Sequence, residues 1–258
     1  MTDDAFSRTR ILLGDEGVDC LARKHVLVAG LGGVGGHVAE ALCRAGVGEL
    51  TLVDHDVVSV SNLNRQLLAL HSTLGQDKTT VMAERLRDIN PDVKLNVINR
   101  FIHRDDAEGF VTQQGFADGE YSGLQFDFVV DCIDSIICKA SLVAACQQHN
   151  VPVVSSMGAG NRVDVTKIKV ASLNQTQNCP LAREFRFALR KMGVPLNCRV
   201  VYSTEKPKKA LPHEPIEGAQ AGIARAVNGT VSYLTGVFGY MLTGMVVQAL
   251  LVQVVDEK

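Results

Sequence analysis

One short stretch constrains the fold of this 258-residue chain more than any other. His25-Val26-Leu27-Val28-Ala29 is a near-continuous apolar run, the pattern of a strand buried on both faces of a parallel sheet. It leads straight into Gly30-Leu31-Gly32-Gly33-Val34-Gly35, and residues 38–45 behind the glycines are rich in Ala, Leu and Glu, as a helix is. The first glycine suits a tight turn. The second lets backbone N–H groups approach a phosphate at a helix N-terminus, where the helix dipole favours anions. Asp54 follows Gly32 by 22 residues, at the end of a second apolar run over 50–53, and is placed to bind ribose hydroxyls. Taken alone, this fingerprint reads as dinucleotide (NAD) binding, with a ligand-free tight turn as the bland alternative.

The rest of the chain extends the pattern. Helices are expected over 11–24, 78–89 (ended by Asn90-Pro91) and 139–149, and strands over 93–101, 126–130 and 151–155, with a glycine-rich loop over 113–123. Strands alternating with helices predict an α/β fold: a doubly wound, Rossmann-like, mostly parallel sheet. The last third differs. Residues 163–172 alternate as an antiparallel strand would, 180–192 form a basic helix, and 203–218, with three prolines, read as a mobile loop. The expected organisation is a single domain over 1–258, with a nucleotide-binding core over 25–160 and an antiparallel C-terminal extension over 161–258.

Charge separates the same two parts. The net charge of −2 conceals 13 Lys/Arg against 21 Asp/Glu in residues 1–161 and 11 against 3 in residues 162–209. Such a basic segment suits a polyanion, RNA above all, or else simply a solvated surface. Arg183, Arg186 and Arg190 share one face of the basic helix and are the candidate RNA contacts. The seven cysteines form no C-x-x-C pair, which argues against a disulfide framework or a four-cysteine zinc site and points to a reducing cytoplasm. Cys179 and Cys198 could be nucleophiles or sulfur carriers; small buried thiols are commoner. Residues 226–255 carry no charge over a length that could span a membrane. Their Asn, Gln, Thr and Gly content favours a buried core strand and helix, with peripheral membrane association left open.

Two cations change the nucleotide reading. Ser61-Asn62-Leu63-Asn64-Arg65-Gln66 lies just beyond Asp54, and Gly75-Gln76-Asp77-Lys78 opens the next helix. Either cation alone would be an ordinary surface residue. A triphosphate attacked at its α-phosphorus, however, needs positive charge for the departing pyrophosphate. Asp131-Cys132-Ile133-Asp134 closes the fourth strand, where acids point into a ligand crevice, and either acid could hold Mg²⁺. The bland alternative for Asp134 is a helix N-cap.

In this order, these motifs resemble the ubiquitin-activating-enzyme-like (ThiF-type) adenylyltransferases over residues 8–160. The resemblance implies that Gly30, Gly32, Gly33 and Gly35 bind phosphates and Asp54 the ribose. It assigns Asn62, Arg65, Gln66, Lys78 and Asp131 to ATP, and Asp134 to magnesium. Arg8, with Arg10 as alternative, would reach the ATP of a partner subunit, which implies a homodimer. Within the superfamily the chain is similar to the tRNA threonylcarbamoyladenosine dehydratase branch. That likeness runs through 62–66 (NLNRQ), 81–91 (VMAERLRDINP), 133–139, 201–205 (VYSTE) and 229–239 (GTVSYLTGVFG). It implies ATP-dependent cyclisation of N6-threonylcarbamoyladenosine in tRNA through a carboxylate adenylate, with Arg8, Arg65, Lys78 and Asp134 as the catalytic residues. ATP and Mg²⁺ are the implied cofactors, with room for a monovalent cation, and a sulfur-transfer protein is a further conceivable partner. Competing classes are an activator of a small ubiquitin-like sulfur carrier, an NAD-dependent oxidoreductase and a non-catalytic scaffold.

Overall fold

The computed structural model describes residues 4–116, 118–209 and 228–255, with side chains as far as Val252. In chain order the elements are α1 (Ser7–Ala22), β1 (His25–Ala29), α2 (Gly35–Ala45), β2 (Glu49–Val53), α3 (Lys78–Ile89), β3 (Lys94–Ile98) and α4 (Ala107–Val111). There follow β4 (Phe128–Asp131), α5 (Ile136–Gln148), β5 (Val153–Ser156), β6 (Ile168–Ser172), α6 (Pro180–Lys191), β7 (Arg199–Ser203) and α7 (Ser232–Val255). The seven strands form one sheet in the order β3-β2-β1-β4-β5-β7-β6. All neighbours run parallel except β6 and β7, which pair antiparallel from Ile168 opposite Ser203 to Ser172 opposite Arg199. The expected α/β, doubly wound sheet with an antiparallel extension is what the chain adopts.

β1 shows why the sheet must be covered twice. Val26 and Val28 enter the core shared with α2, α3 and α7, whereas Leu27 and Ala29 enter the one shared with α4 and α5. Successive side chains of a strand point to opposite faces, so a wholly apolar strand demands helices on both.

The C-terminal run is one helix and not the expected strand plus helix. Leu234, Phe238, Leu242, Val246 and Leu250 are all fully buried at four-residue spacing, facing α1, α2 and the sheet. Glycine lets α7 come this close: a Cβ on Gly239 would stand 2.9 Å from the Val34 carbonyl oxygen. The helix is long and apolar enough to cross a membrane, but its core-facing side accounts for the apolar stripe there.

Two other features depart from the sequence reading. The first helix begins earlier, at Ser7, and is kinked at Gly14 (φ 71°). β7, which no expectation covered, joins β5 and β6. The loop expected over 203–218 lies outside the described residues from 210 onward.

Candidate nucleotide-binding site

Three strand ends build the site. β1, β2 and β4 finish level, with Ala29 opposite both Val53 and Asp131, so the turns that follow emerge side by side. The strand order reverses between β1 and β4, and the connections part there to leave a crevice. The glycine turn lies flat against the β4–α5 turn. A Cβ on Gly30 (φ 89°) would stand 2.9 Å from the Cys132 carbonyl oxygen, and one on Gly35 only 1.7 Å from the Gly30 carbonyl oxygen.

Each remaining glycine faces a different wall. A Cβ on Gly32 would lie 3.8 Å from Gln66 Nε2, and one on Gly33 would lie 3.3 Å from Thr235 of α7. His37, one turn into α2, hydrogen-bonds the Gly33 carbonyl through Nδ1 at 2.8 Å. Asp54 joins the turn at the strand end. Its Oδ2 accepts the Leu31 N–H at 2.6 Å and its Oδ1 the Asp56 N–H at 2.9 Å. Each oxygen keeps a lone pair for a hydroxyl donor.

The two cations are fixed differently. Lys78, at the first position of α3, is only 3% exposed, and its Nζ donates to Asp56 Oδ2 at 2.8 Å. Arg65 is half-buried, which pulls its guanidinium pKa below the ordinary value without discharging it. Its Nη1 donates to the Ser61 carbonyl at 2.7 Å and to Asn64 Oδ1 at 3.0 Å. Asn62 is buried and shapes this loop: its Oδ1 accepts the Ser59 N–H at 3.1 Å. Gln66 is buried too, and its Oε1 has no hydrogen-bond partner among the described residues.

The two acids of the β4 turn part company. Asp134 is exposed, and Ser135 takes the N-cap position of α5, so Asp134 is not the helix cap. The expectation that Asp131 lines the crevice is corrected. Asp131 is fully buried, with its carboxylate on Lys139, Ser155 and the Ile133 N–H. A strand-end position does not fix a strand face, and here Asp131 shares the face of Val129, the one covered by α5.

Farther out, Arg10 is tied to Asp4, Asp15 and Asp19 at 3.2–3.4 Å, while Arg8 is exposed and pairs with no described residue. On α6, Arg183 and Arg190 face solvent, but Arg186 turns inward onto Thr176 Oγ1 and the Thr176 and Leu173 carbonyls. Cys179 and Cys198 are buried, and burial, reinforced by the Asp131 charge, pushes the Cys198 thiol up to about 12. Neither is poised as a nucleophile.

Sequence reasoning missed Asp56, His37, Thr235 and Lys139. Lys139 did carry a signal, as the sole charge in the apolar α5.

The comparisons with known proteins decide the family. The ThiF family profile matches residues 6–257. The chain belongs to the ThiF family. Among ThiF relatives, the tRNA threonylcarbamoyladenosine dehydratase of Bacillus subtilis (strain 168) is 39% identical over 202 residues, 78% of this chain and 75% of the relative. The solved E. coli tRNA N6-threonylcarbamoyladenosine dehydratase, TcdA, in complex with AMP superposes with a TM-score of 0.83 at 32% identity, covering 97% of this chain and 96% of that one. The same ThiF protein in complex with ATP gives 0.83 at 31% identity, covering 98% and 96%. The match therefore spans the extension as well as the nucleotide core.

Proposed function

We propose that this chain is an ATP-dependent tRNA threonylcarbamoyladenosine dehydratase. The observation that carries this is the likeness to the E. coli dehydratase through β6, β7 and α7, beyond the core that adenylyltransferases share. The threonyl carboxylate of the substrate is a poor electrophile, because oxide would have to leave. Its oxygen attacks the α-phosphorus of ATP, the bond to the pyrophosphate oxygen breaks, and a carboxylate adenylate forms. The carbamoyl group of the same side chain then closes on the activated carbonyl and AMP departs. This step is intramolecular, so positioning supplies much of its acceleration.

The chain's own groups have distinct tasks. The N–H groups of the glycine turn cradle phosphate at the α2 N-terminus, and the Asp54 carboxylate accepts from ribose hydroxyls. Arg65 and Lys78 offset the charge that builds on the departing pyrophosphate. The site fits a nucleotide and its metal: the flat glycine turn excludes side chains, and the enclosed Gln66 Oε1 is an acceptor still to be matched. Asp134 would hold Mg²⁺ as a hard oxygen ligand, and the ion would supply charge neutralisation at the phosphates. Among the described residues none distinguishes a monovalent-cation site.

The outer faces suit the remaining expectations. Tyr233, Tyr240 and Val252 on α7, with Ile11 and Leu12 on α1, are large apolar residues left more than half exposed. Exposed apolar side chains on packed neighbouring helices suit a second copy of the chain better than a membrane surface. Exposed Arg183, Arg190 and Lys191 on α6 suit the tRNA backbone. All seven cysteines are free, as a reducing cytoplasm requires, and with Cys179 and Cys198 enclosed no sulfur-transfer partner is proposed. One domain over 1–258 is the simplest organisation, since extension strands and core strands share a sheet.

The test is mass analysis of nucleosides from threonylcarbamoylated tRNA incubated with the protein, ATP and Mg²⁺, under mild work-up because the cyclic product hydrolyses. We expect an ATP-dependent loss of one water from the modified nucleoside. No mass change from a protein that binds ATP would overturn the assignment and favour activation of a small carrier protein.

A further inference from the structure

The β4–α5 turn rests on a charged cluster that the nucleotide itself does not need. Asp131, Lys139 and Ser155 are all fully buried. Lys139 Nζ donates to Asp131 Oδ2 at 2.5 Å and to Ser155 Oγ at 3.0 Å, and Ser155 Oγ donates to the same Asp131 oxygen at 2.5 Å. The other carboxylate oxygen, Oδ1, accepts the Ile133 N–H at 3.0 Å, and the Cys132 N–H is held by the Ala29 carbonyl at 2.8 Å. The Phe185 ring of α6 lies 5.7 Å from Lys139 Nζ and helps to close off the cluster.

A buried ion pair is a poor way to gain stability. Taking both charges out of water costs about as much as their attraction returns, and apolar residues of the same volume commonly serve as well. What the pair does supply is geometry. It fixes the carboxylate that fixes the Ile133 amide, and Ile133 is the residue immediately before Asp134.

We infer that Asp131, Lys139 and Ser155 are positioning residues, which set the Cys132–Asp134 backbone so that the Asp134 carboxylate is presented to magnesium and the nucleotide. This rests on Asp134 being the magnesium-holding acid. It accounts for a lysine in an otherwise uncharged helix, and it gives Asp131 a role without contact with the ligand.

The test pairs Asp131→Asn/Lys139→Met, which removes the buried charges but keeps an acceptor for Ile133, with Asp134→Asn. ATP binding is titrated with and without Mg²⁺, and amide hydrogen exchange is followed over 131–138. We expect the double variant to melt near the wild-type temperature and to exchange faster in that segment. Its Mg²⁺ requirement for ATP binding should rise roughly tenfold, as when outer-shell partners of metal ligands are removed, with metal-free ATP affinity unchanged. If the double variant fails to fold, Ser155→Ala keeps the ion pair and should show a smaller shift in the same direction. Unchanged exchange and Mg²⁺ requirement would overturn the proposal. A shift in Asp134→Asn alone would remove the positioning role and leave Asp134 standing, whereas no shift in either would remove Asp134 as the metal ligand.

Discussion

At the scale of single residues, Gly35 is the most demanding position in the site. A Cβ there would stand 1.7 Å from the Gly30 carbonyl oxygen, so even alanine must open the turn. Gly35→Ala should weaken ATP binding at least about tenfold, or ~1.4 kcal/mol, in a calorimetric titration; wild-type affinity would mean the turn relaxes at no cost to the ligand. That the glycines, Asp54, Arg65 and Lys78 gather around one crevice was legible in the sequence, because a strand end, the tight turn after it and the first position of a helix are set by local spacing. Asp131 was misplaced because its face depends on what α5 brings opposite it. Thr235 was invisible for a related reason: it meets Gly33 only through tertiary packing, with no local spacing to betray it.

At the scale of elements, α6 divides its work between two faces. Ala182, Phe185 and Leu189 are fully buried, while Arg183, Phe187, Arg190 and Lys191 stand in water, with Lys191 Nζ 4.6 Å from the Phe187 ring. The triple substitution Arg183→Glu/Arg190→Glu/Lys191→Glu should lower tRNA affinity by roughly tenfold or more at low salt. It should also flatten the salt dependence by about one unit of log–log slope for each phosphate no longer neutralised. Filter binding across a salt series reads both, and an unchanged slope would take this face out of the RNA site. Arg186 is omitted because it caps the turn at Leu173 and Thr176. Sequence periodicity located α6 and α3 well, since both are amphipathic and bounded by Pro180 and by Asn90-Pro91. It failed on α7, where a strand was expected ahead of the helix. The preference of its β-branched valines and threonines for strands is weak, and packing of a long apolar face against α1 and α2 overrides it. β7 was missed because its apolar stretch, Val200-Val201-Tyr202, is too short to offer a period to count.

For the whole molecule, two copies should share their sites. Arg10 is spent on three acids of its own chain, which leaves Arg8 free to reach across. Arg8→Ala and Asp134→Asn should each be inactive alone. Co-expressed in equal amounts, they should recover about a quarter of wild-type turnover, because half of the randomly assembled two-fold dimers carry one intact site. No recovery would place Arg8 outside the partner's site. The contact of Thr235 with Gly33 has a consequence in time. Chains fold from the N-terminus as they are made, so β1 and the phosphate turn emerge early. The helix that walls them arrives about two hundred residues later. A nascent chain thus holds an open, unfinished cradle until α7 has left the ribosome.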